Sequence, residues 1–565
     1  MTASATTHVP PFDRLTSLLR LERDDIGIAV MYSIAVGVVS LAAPIGVQAL
    51  VSTVAFGGLL QPVLVLALLV FMALALAGVL RALQAVVVER IQRRVFARVA
   101  LDLARRLPRV RTEAFDREHG PELVNRFFDV LSVQKGMAML LLDGVGVALT
   151  TLAGMVILAF YHPVLLAFDV LLVIAIGALL FGLGRRALAT SIEESKAKYG
   201  VAAWLEEMAR HPAAFKTGGG PTYAAVRAEA LLGVYLGARA SHFSVLFKQI
   251  VGALALQVIA GSTLLGVGGW LVIRGKLTLG QLVAAELIVS LVVAGLTKVG
   301  KQLEVYYDLL TGMDKLGHLV DLPLEAADGE ALPVRPGSAE LKLVDVGYAY
   351  PGDEPVLRGV SLAIPRGRSV AIVGQNGAGK STLVDLVFGI RAPTRGRITL
   401  DGVDTRDILL DSLREQVALV RGVEIFQGTI AENVKMGRAS VSSEDVRQAL
   451  AAVGLLDDLA SLPDGLDTRI STGGPELSLG KAKRIGIARA IAGRPRLLVL
   501  DESLDGLDPE ARRTIQAALF DRQAPWTLLV TTHDREALRA ADDILVLDGG
   551  VVRPLRAEDH ASIYG

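Results

Sequence analysis

Six apolar segments, each close to the length needed to cross a bilayer, fill the first half of this chain. They lie at about 26–56, 59–88, 136–160, 163–184, 243–273 and 277–300. Backbone N–H and C=O groups find no water in hydrocarbon, so such segments must be helices that satisfy their own hydrogen bonds. The composition agrees, with 52% hydrophobic residues and a mean hydropathy of +0.48.

The segments form three close pairs. The gaps inside the pairs are short and carry only Arg274 and Lys276. The gaps between pairs are long and charged, with eleven Lys or Arg from Arg90 to Lys135 and eight from Arg185 to Arg239. Positive charge collects on the cytoplasmic side, so the long gaps and both termini are expected there. Those gaps are also helix-like. "VERIQRRVFARVALDLARRL" has apolar residues every three or four positions and neither Pro nor Gly. The spans are therefore expected to continue as helices into the cytoplasm; separate soluble hairpins are the alternative.

The N-terminus lacks the form of a cleavable signal, because its first apolar run is too long. "FDRLTSLLRLERDD" reads either as an amphipathic helix on the membrane surface or as a plain lead-in to the first span. No protease domain is expected ahead of the spans.

A Pro-, Gly- and acid-rich stretch, "PLEAADGEALPVRPGS", marks a linker at 323–338. The expected domains are thus a lead-in at 1–25, a six-helix membrane domain at 26–322, the linker, and a second domain at 339–565. Beyond the linker, short runs such as "SVAIVG", "RITL", "QVALV", "LLVLDE", "TLLVTTH" and "ILVLDGG" alternate with helical stretches. This is the pattern of an α/β domain with a largely parallel sheet.

Formal net charge is zero, which gives no case for nucleic acid as a partner. The absence of cysteine excludes disulfides, thiolate metal sites and cysteine nucleophiles. The eight histidines lack ligand spacing. Arg outnumbers Lys roughly three to one and Ala is abundant, which points to a GC-rich bacterium.

The second domain carries the chemistry. "GQNGAGKST", from Gly374 to Thr382, matches the phosphate-binding loop pattern. It follows an apolar strand and opens a helix, as that pattern requires. Gly374, Gln375, Asn376, Gly377, Ala378 and Gly379 would close backbone N–H groups around phosphate oxygens. Lys380 can reach the β- and γ-phosphates, Ser381 can hold Mg²⁺, and Thr382 completes the loop. In "RLLVLDES", Asp501 and Glu502 emerge at the C-terminal end of a buried strand, where open α/β sheets bind ligands. Asp501 suits the Mg²⁺ side, and Glu502 suits polarising an attacking water.

With these residues placed, nearly the whole chain from about residue 20 resembles an ATP-binding-cassette (ABC) exporter half. Six membrane helices are followed by an α/β P-loop ATPase domain, and "LVIRGKLTLGQLVA" at the sixth span adds to the likeness. The resemblance implies further roles by position. Tyr350 in "YAYPG" would stack on adenine. His533 in "TTHD" would sit at the γ-phosphate. "DGLD", from Asp505 to Asp508, would cross to a partner domain. "LSLGK" resembles the signature "LSGGQ", whose turn caps the ATP of the other cassette in a dimer, so Ser478, Gly480 and Lys481 would face the partner's nucleotide. "FDREHGPELVNRFFDV" and "WLEEMARHPAAFK" resemble the two regions that couple membrane and ATPase domains. Both also read as ordinary solvated helix faces.

Two departures stand out. The signature turn has Leu479 for its first glycine and Lys481 for glutamine. Lys481, Lys483 and Arg484 also crowd the first turn of a helix, which the macrodipole disfavours; a bound anion would offset this, or the cations simply face solvent. The family's loop glutamine after "QVALV" is missing, with Arg421 or Gly422 at the expected place, and Gln427 lies too far on.

The expected activity is Mg²⁺-dependent ATP hydrolysis driving export of an unidentified substrate across the inner membrane, with the ATPase domain cytoplasmic. The alternative is an ATP-binding regulatory or structural subunit that barely hydrolyses. The intact catalytic residues beside an altered signature favour a different ABC half as partner; a homodimer with two slow sites is the other arrangement. Asp143, Asp169, Lys248 and Glu286 fall inside apolar segments. Asp143 and Lys248 are expected near the cytoplasmic extensions, whereas Asp169 and Glu286 read either as favouring a cationic substrate group or, more plainly, as snorkelling or hydrogen-bonding between helices.

Overall fold

The computed structural model describes residues 9–55, 60–116, 124–183, 185–333, 335–460, 462–473 and 477–556. The chain divides into two compact units, with the main division after Pro323.

In the first unit the described residues of each expected span lie mostly on helix. The first comprises α2 (Arg23–Ser40) and α3 (Ala42–Ala55), preceded by α1 (Pro11–Leu21). The break at Leu41 has a local cause. Pro44 has no N–H to give the Ser40 carbonyl, so the ladder is interrupted there. Then follow α4 (Leu60–Arg106), α5 (Asp129–Met139), α6 (Val145–Tyr161), α7 (Pro163–Gly177), α8 (Ala187–Arg210), the short α9 (Pro212–Phe215), α10 (Gly220–Ile273) and α11 (Leu279–Val320). Among the described residues, four helical stretches are long and apolar enough to cross a membrane, and Pro163–Gly177 and Leu279–Leu291 are shorter apolar helices.

Length decides what the charged gaps are. At 1.5 Å per residue the 47 residues of α4 span about 70 Å and the 54 of α10 about 80 Å. Hydrocarbon is about 30 Å thick, so these helices extend well beyond it. The charged sequence therefore continues the spans rather than forming separate hairpins. Sixth-helix α11 starts on a capping box, in which the Thr278 hydroxyl accepts from the Gln281 N–H and the Gln281 side chain accepts from the Thr278 N–H.

Helix α1 is docked on the bundle. Leu15 is buried with Ala29, Val88 and Ile91, and Arg14 pairs with Asp321 just past α11. Next to it Glu22 and Asp25 meet Arg98 and Arg94, at 2.9 and 2.6 Å. Between α5 and α6 the residues Leu140–Gly144 form a π turn, and Ala178–Gly182 form another after α7. The Gln84 amide donates to the Leu141 carbonyl in the first of these at 3.0 Å and to the Ser33 hydroxyl at 2.6 Å. Such turns hold one residue more than an α-helical turn and leave backbone groups in need of partners.

The second unit is built on a six-stranded sheet ordered β12–β11–β3–β10–β9–β6. Its strands are β3 (Ser369–Val373), β6 (Val417–Arg421), β9 (Leu497–Asp501), β10 (Thr527–Thr531), β11 (Asp543–Asp548) and β12 (Val551–Pro554), all parallel except β12. Alternation sends successive residues to opposite cores. Val370 and Ile372 of β3 join one cluster, Ala371 and Val373 the other.

The run "RITL" does not join this sheet. It forms β4 (Arg395–Leu400), antiparallel to β1 (Leu341–Ala349), in a second sheet ordered β2–β1–β4–β5 with β2 (Pro355–Ile364) and β5 (Val403–Asp404). Register shifts along β1, with Asp345 in the left-handed region, blur its alternation and hide it in the sequence. A two-stranded ribbon pairs β7 (Gly428–Thr429) with β8 (Arg469–Ile470). The helices are α12 (Lys380–Val387), α13 (Leu410–Gln416), α14 (Ile430–Lys435), α15 (Ser443–Ala452), α16 (Leu456–Ala460), α17 (Leu479–Ala492), α18 (Pro509–Leu519) and α19 (Arg535–Ala540). The linker stretch packs on this unit, with Leu332 in its core and Glu325 paired with Arg414 at 2.6 Å.

Candidate functional site

The site forms at the C-terminal ends of β3, β9 and β10, where runs of three or four apolar strand residues end. Between β3 and α12 the chain turns through Gly374–Gly379. Gly377 and Gly379 have φ of 84° and 99°, a region side chains avoid. A Cβ on Gly374 would lie 2.4 Å from the Leu547 carbonyl oxygen, so glycine is also required for close packing there. Gln375, Asn376 and Gly377 are exposed, as is Ser381 at the second position of α12. An exposed glycine turn leading into a helix N-terminus fits an anion.

Lys380 is buried and folded over this loop. Its ammonium donates to the Gly374 carbonyl at 2.7 Å and lies 3.3 Å from His533 Nε2 and 3.5 Å from Glu502 Oε1. The structure thus brings Lys380, Glu502 and His533 together. Glu502 itself has φ of 51°, unusual for a side-chain-bearing residue, and is held there by its N–H, which donates to the Thr531 carbonyl at 3.0 Å. Asp501 is buried, and the Thr531 hydroxyl donates to its Oδ1 at 2.7 Å.

Arg421 is one of the two residues at the place expected for the loop glutamine. It is the last residue of β6 and the register partner of Asp501. Its Nε donates to Asp501 Oδ2 at 2.8 Å, its Nη1 to Asp385 Oδ1 at 2.7 Å, and its Nη2 to the Ser381 carbonyl at 3.1 Å. Burial alone would lower its pKa, but Asp385 and then Asp501 outweigh this and hold the guanidinium above its ordinary value. Arg391 is a second cation on Asp385. Gly422 follows with φ of 54°, and Gln427 is exposed. The sequence reading missed Asp385, Thr531 and Arg391; the arginine in the glutamine's place was the signal that could have led to them.

Tyr350 lies beside this group. Its hydroxyl is 3.0 Å from the buried Thr382 hydroxyl, and the Arg391 guanidinium sits 4.9 Å from its ring centre. Asp505 is half-buried. Burial pushes its carboxyl above the usual range, against a hydrogen bond from Thr532, and nearby Glu502 adds to the push. Asp508 caps α18, accepting from the Ala511 N–H at 2.9 Å.

At the signature turn Ser478 caps α17, with its hydroxyl accepting from the Lys481 N–H at 3.3 Å. Leu479 is 64% exposed, and nothing would meet a Cβ on Gly480. The expectation that the neighbouring cations simply face solvent is corrected. Lys481 pairs with Asp458 at 3.3 Å, Lys483 donates to the Asp505 carbonyl at 2.6 Å, and buried Arg484 donates to the Gly454 carbonyl at 3.0 Å. These contacts offset the unfavourable macrodipole without an anion.

In the membrane unit, Asp143 lies in the first π turn and lines a cavity of about 470 Å³ with Ser33, Arg81 and Gln84. Asp169 is 4% exposed, and among the described residues neither of its carboxylate oxygens has a hydrogen-bond partner. Glu286 Oε2 is likewise buried without one, and Lys248 is exposed. The hydrogen-bonded reading of Asp169 thus finds no support there. The first expected coupling region lies in part outside the described residues; in the second, Trp204 packs edge-on against Phe215 and Tyr223.

Two family models match the chain: "ABC transporter transmembrane region" over residues 26–209 and "ABC transporter" over residues 357–505. An uncharacterized ABC transporter ATP-binding protein of Bacillus subtilis is 34% identical over 295 residues, 52% of this chain and 51% of that protein. An ATP-dependent lipid A-core flippase of Thiobacillus denitrificans is 41% identical over 244 residues, 43% of this chain and 42% of its own length. The chain thus spans about half the length of the curated relatives it matches. A bacterial Atm1-family ABC exporter solved with ATP bound superimposes with a TM-score of 0.83 at 25% identity, covering 97% of both chains.

Proposed function

The chain belongs to the ABC transporter family, and from that premise we propose that it is one half of a dimeric exporter that hydrolyses ATP to move a substrate out across the inner membrane. The observation that carries this reading is the meeting of Lys380, Glu502 and His533 at one loop.

The glycine turn would hold the triphosphate by its N–H groups, and Lys380 would leave its loop carbonyls for the β- and γ-phosphates. Tyr350 would meet the adenine. Glu502 would accept a proton from the water whose oxygen bonds to the γ-phosphorus as the bridge to ADP breaks. His533 would orient the γ-phosphate. Ser381 and Asp501 would hold Mg²⁺, which would supply charge neutralisation. Asp505 and Asp508 would meet the partner cassette, and Ser478, Gly480 and Lys481 would cap its ATP.

The partner is a second ABC half of different sequence. Here Lys380 lies near both Glu502 and His533, while Leu479 places a bulky, exposed side chain in the capping turn, where backbone should approach phosphate closely. A partner with an intact signature would complete one competent site. The second reading is a regulatory subunit with little hydrolysis of its own, and Arg421 beside Asp501 is the observation that favours it.

One relative is named for lipid A-core flipping and one structural neighbour for the Atm1 family, which leaves the substrate here open. The test is ATPase activity of the purified complex with and without Glu502→Gln. Equal rates would reject hydrolysis at this site.

A further inference from the structure

Asp501 is the carboxylate placed to serve Mg²⁺, yet both of its oxygens already have donors. Thr531 donates to Oδ1 at 2.7 Å, and Arg421 donates to Oδ2 at 2.8 Å. The same guanidinium binds Asp385 at 2.7 Å and reaches the Ser381 carbonyl, at the base of the phosphate loop. It is 34% exposed, so part of it stays open to solvent and to charged solutes.

A glutamine in this place would bring no charge. Arginine brings a permanent positive charge, since its pKa stays far above neutrality, and a rigid fork that two carboxylates hold in place. Two consequences follow. A metal ion ligated by Asp501 must share or displace the guanidinium and meets its repulsion. Metal-free ATP, a tetraanion at neutral pH, finds a fixed cation beside the loop that receives its phosphates.

We propose that Arg421 is a built-in cation that lets this chain's phosphate loop bind ATP with little dependence on Mg²⁺, in competition with the metal for Asp501. The inference rests on the reading of Gly374–Thr382 as an ATP site and adds that the site accepts the nucleotide without its metal.

The test uses the full chain purified in detergent, with ATP displacing trinitrophenyl-ATP in excess MgCl₂ and then in EDTA. For the wild type the two dissociation constants should agree within about threefold. In Arg421→Gln, affinity in EDTA should fall about tenfold relative to that in MgCl₂, a difference of about 1.4 kcal/mol. An equal ratio in variant and wild type would overturn the proposal. Should the variant not fold, the wild type alone decides: an affinity that rises tenfold or more when MgCl₂ replaces EDTA overturns it. Failure of ATP to displace the probe in either buffer overturns the ATP-site reading itself, an outcome distinct from an unchanged ratio.

Discussion

The Lys380 ammonium lies 3.5 Å from the Glu502 carboxylate, an ion pair across the mouth of the phosphate loop. Glu502 is half-exposed and Lys380 is buried, so Glu502 is the member of the pair that faces solvent. On the proposed reading, Lys380 turning to a phosphate would release Glu502 to accept a proton. Glu502→Gln should therefore lower ATP turnover about 100-fold or more while ATP binding persists. Lys380→Ala should weaken binding as well. Steady-state phosphate release and probe displacement separate the two; equal turnover in Glu502→Gln and wild type would contradict the assignment.

The second prediction concerns orientation. Arg93 is exposed on the charged half of α4, and Lys276 is exposed in the short turn between α10 and α11. The chain has no cysteine, so a single introduced thiol is the only one present. In intact cells Lys276→Cys should react with an impermeant maleimide and Arg93→Cys should not. The reverse pattern would invert the topology.

Third, Leu479→Gly combined with Lys481→Gln should raise the ATPase rate of this chain expressed alone about tenfold, if the capping turn limits turnover. Leu479 is exposed, so folding should not change, which thermal unfolding can verify. A stable homodimer of the wild-type chain with full substrate-stimulated activity would refute the need for a different partner.

Fourth, buried Arg496 pairs with buried Asp401 and also donates to Gln416 Oε1 at 3.0 Å. Burial would raise the Asp401 pKa, but the Glu340 N–H and Arg496 overcome it and hold the carboxyl below its ordinary value. A depressed carboxyl pKa contributes stability that is present above the unfolded value, about 3.9, and is lost as pH falls through the folded one. Arg496→Met should cost about 1.5–3 kcal/mol at pH 7, because it removes a charged hydrogen bond from Asp401 while Arg366 and the Glu340 N–H remain on that carboxylate. The gap to wild type should narrow below about pH 4, where Asp401 becomes protonated in the unfolded chain, and go on narrowing as pH falls to the lower folded value. A gap that stays constant from pH 7 to pH 3 in denaturant titrations would exclude this origin.

Much of the architecture was legible in the sequence because its signals are local. Spans announce themselves by length and hydropathy. The phosphate loop is one continuous string between a strand and a helix, and Asp501 and Glu502 end an unmistakable buried strand. What stayed hidden depends on register between distant segments. That Arg421 meets Asp501 requires knowing that β6 lies beside β9, and that it also meets Asp385 requires the placement of α12. The partners of Lys481, Lys483 and Arg484 come from α16, from the loop after β9 and from the turn after α15. The sheet formed by β1, β2 and β4 was obscured by bulges that spoil a period of two.

The π turn at Leu140–Gly144 has a consequence for how this gene can change. In a straight membrane helix, losing one codon rotates everything beyond it by about 100°, turning buried residues toward lipid. A π turn already stores one surplus residue, so deleting one there would let the segment relax into ordinary α-helix with both flanking faces still in place. The third span thus carries a spot where its length can drift by one amino acid over generations, at the price of the carbonyl that Gln84 now occupies.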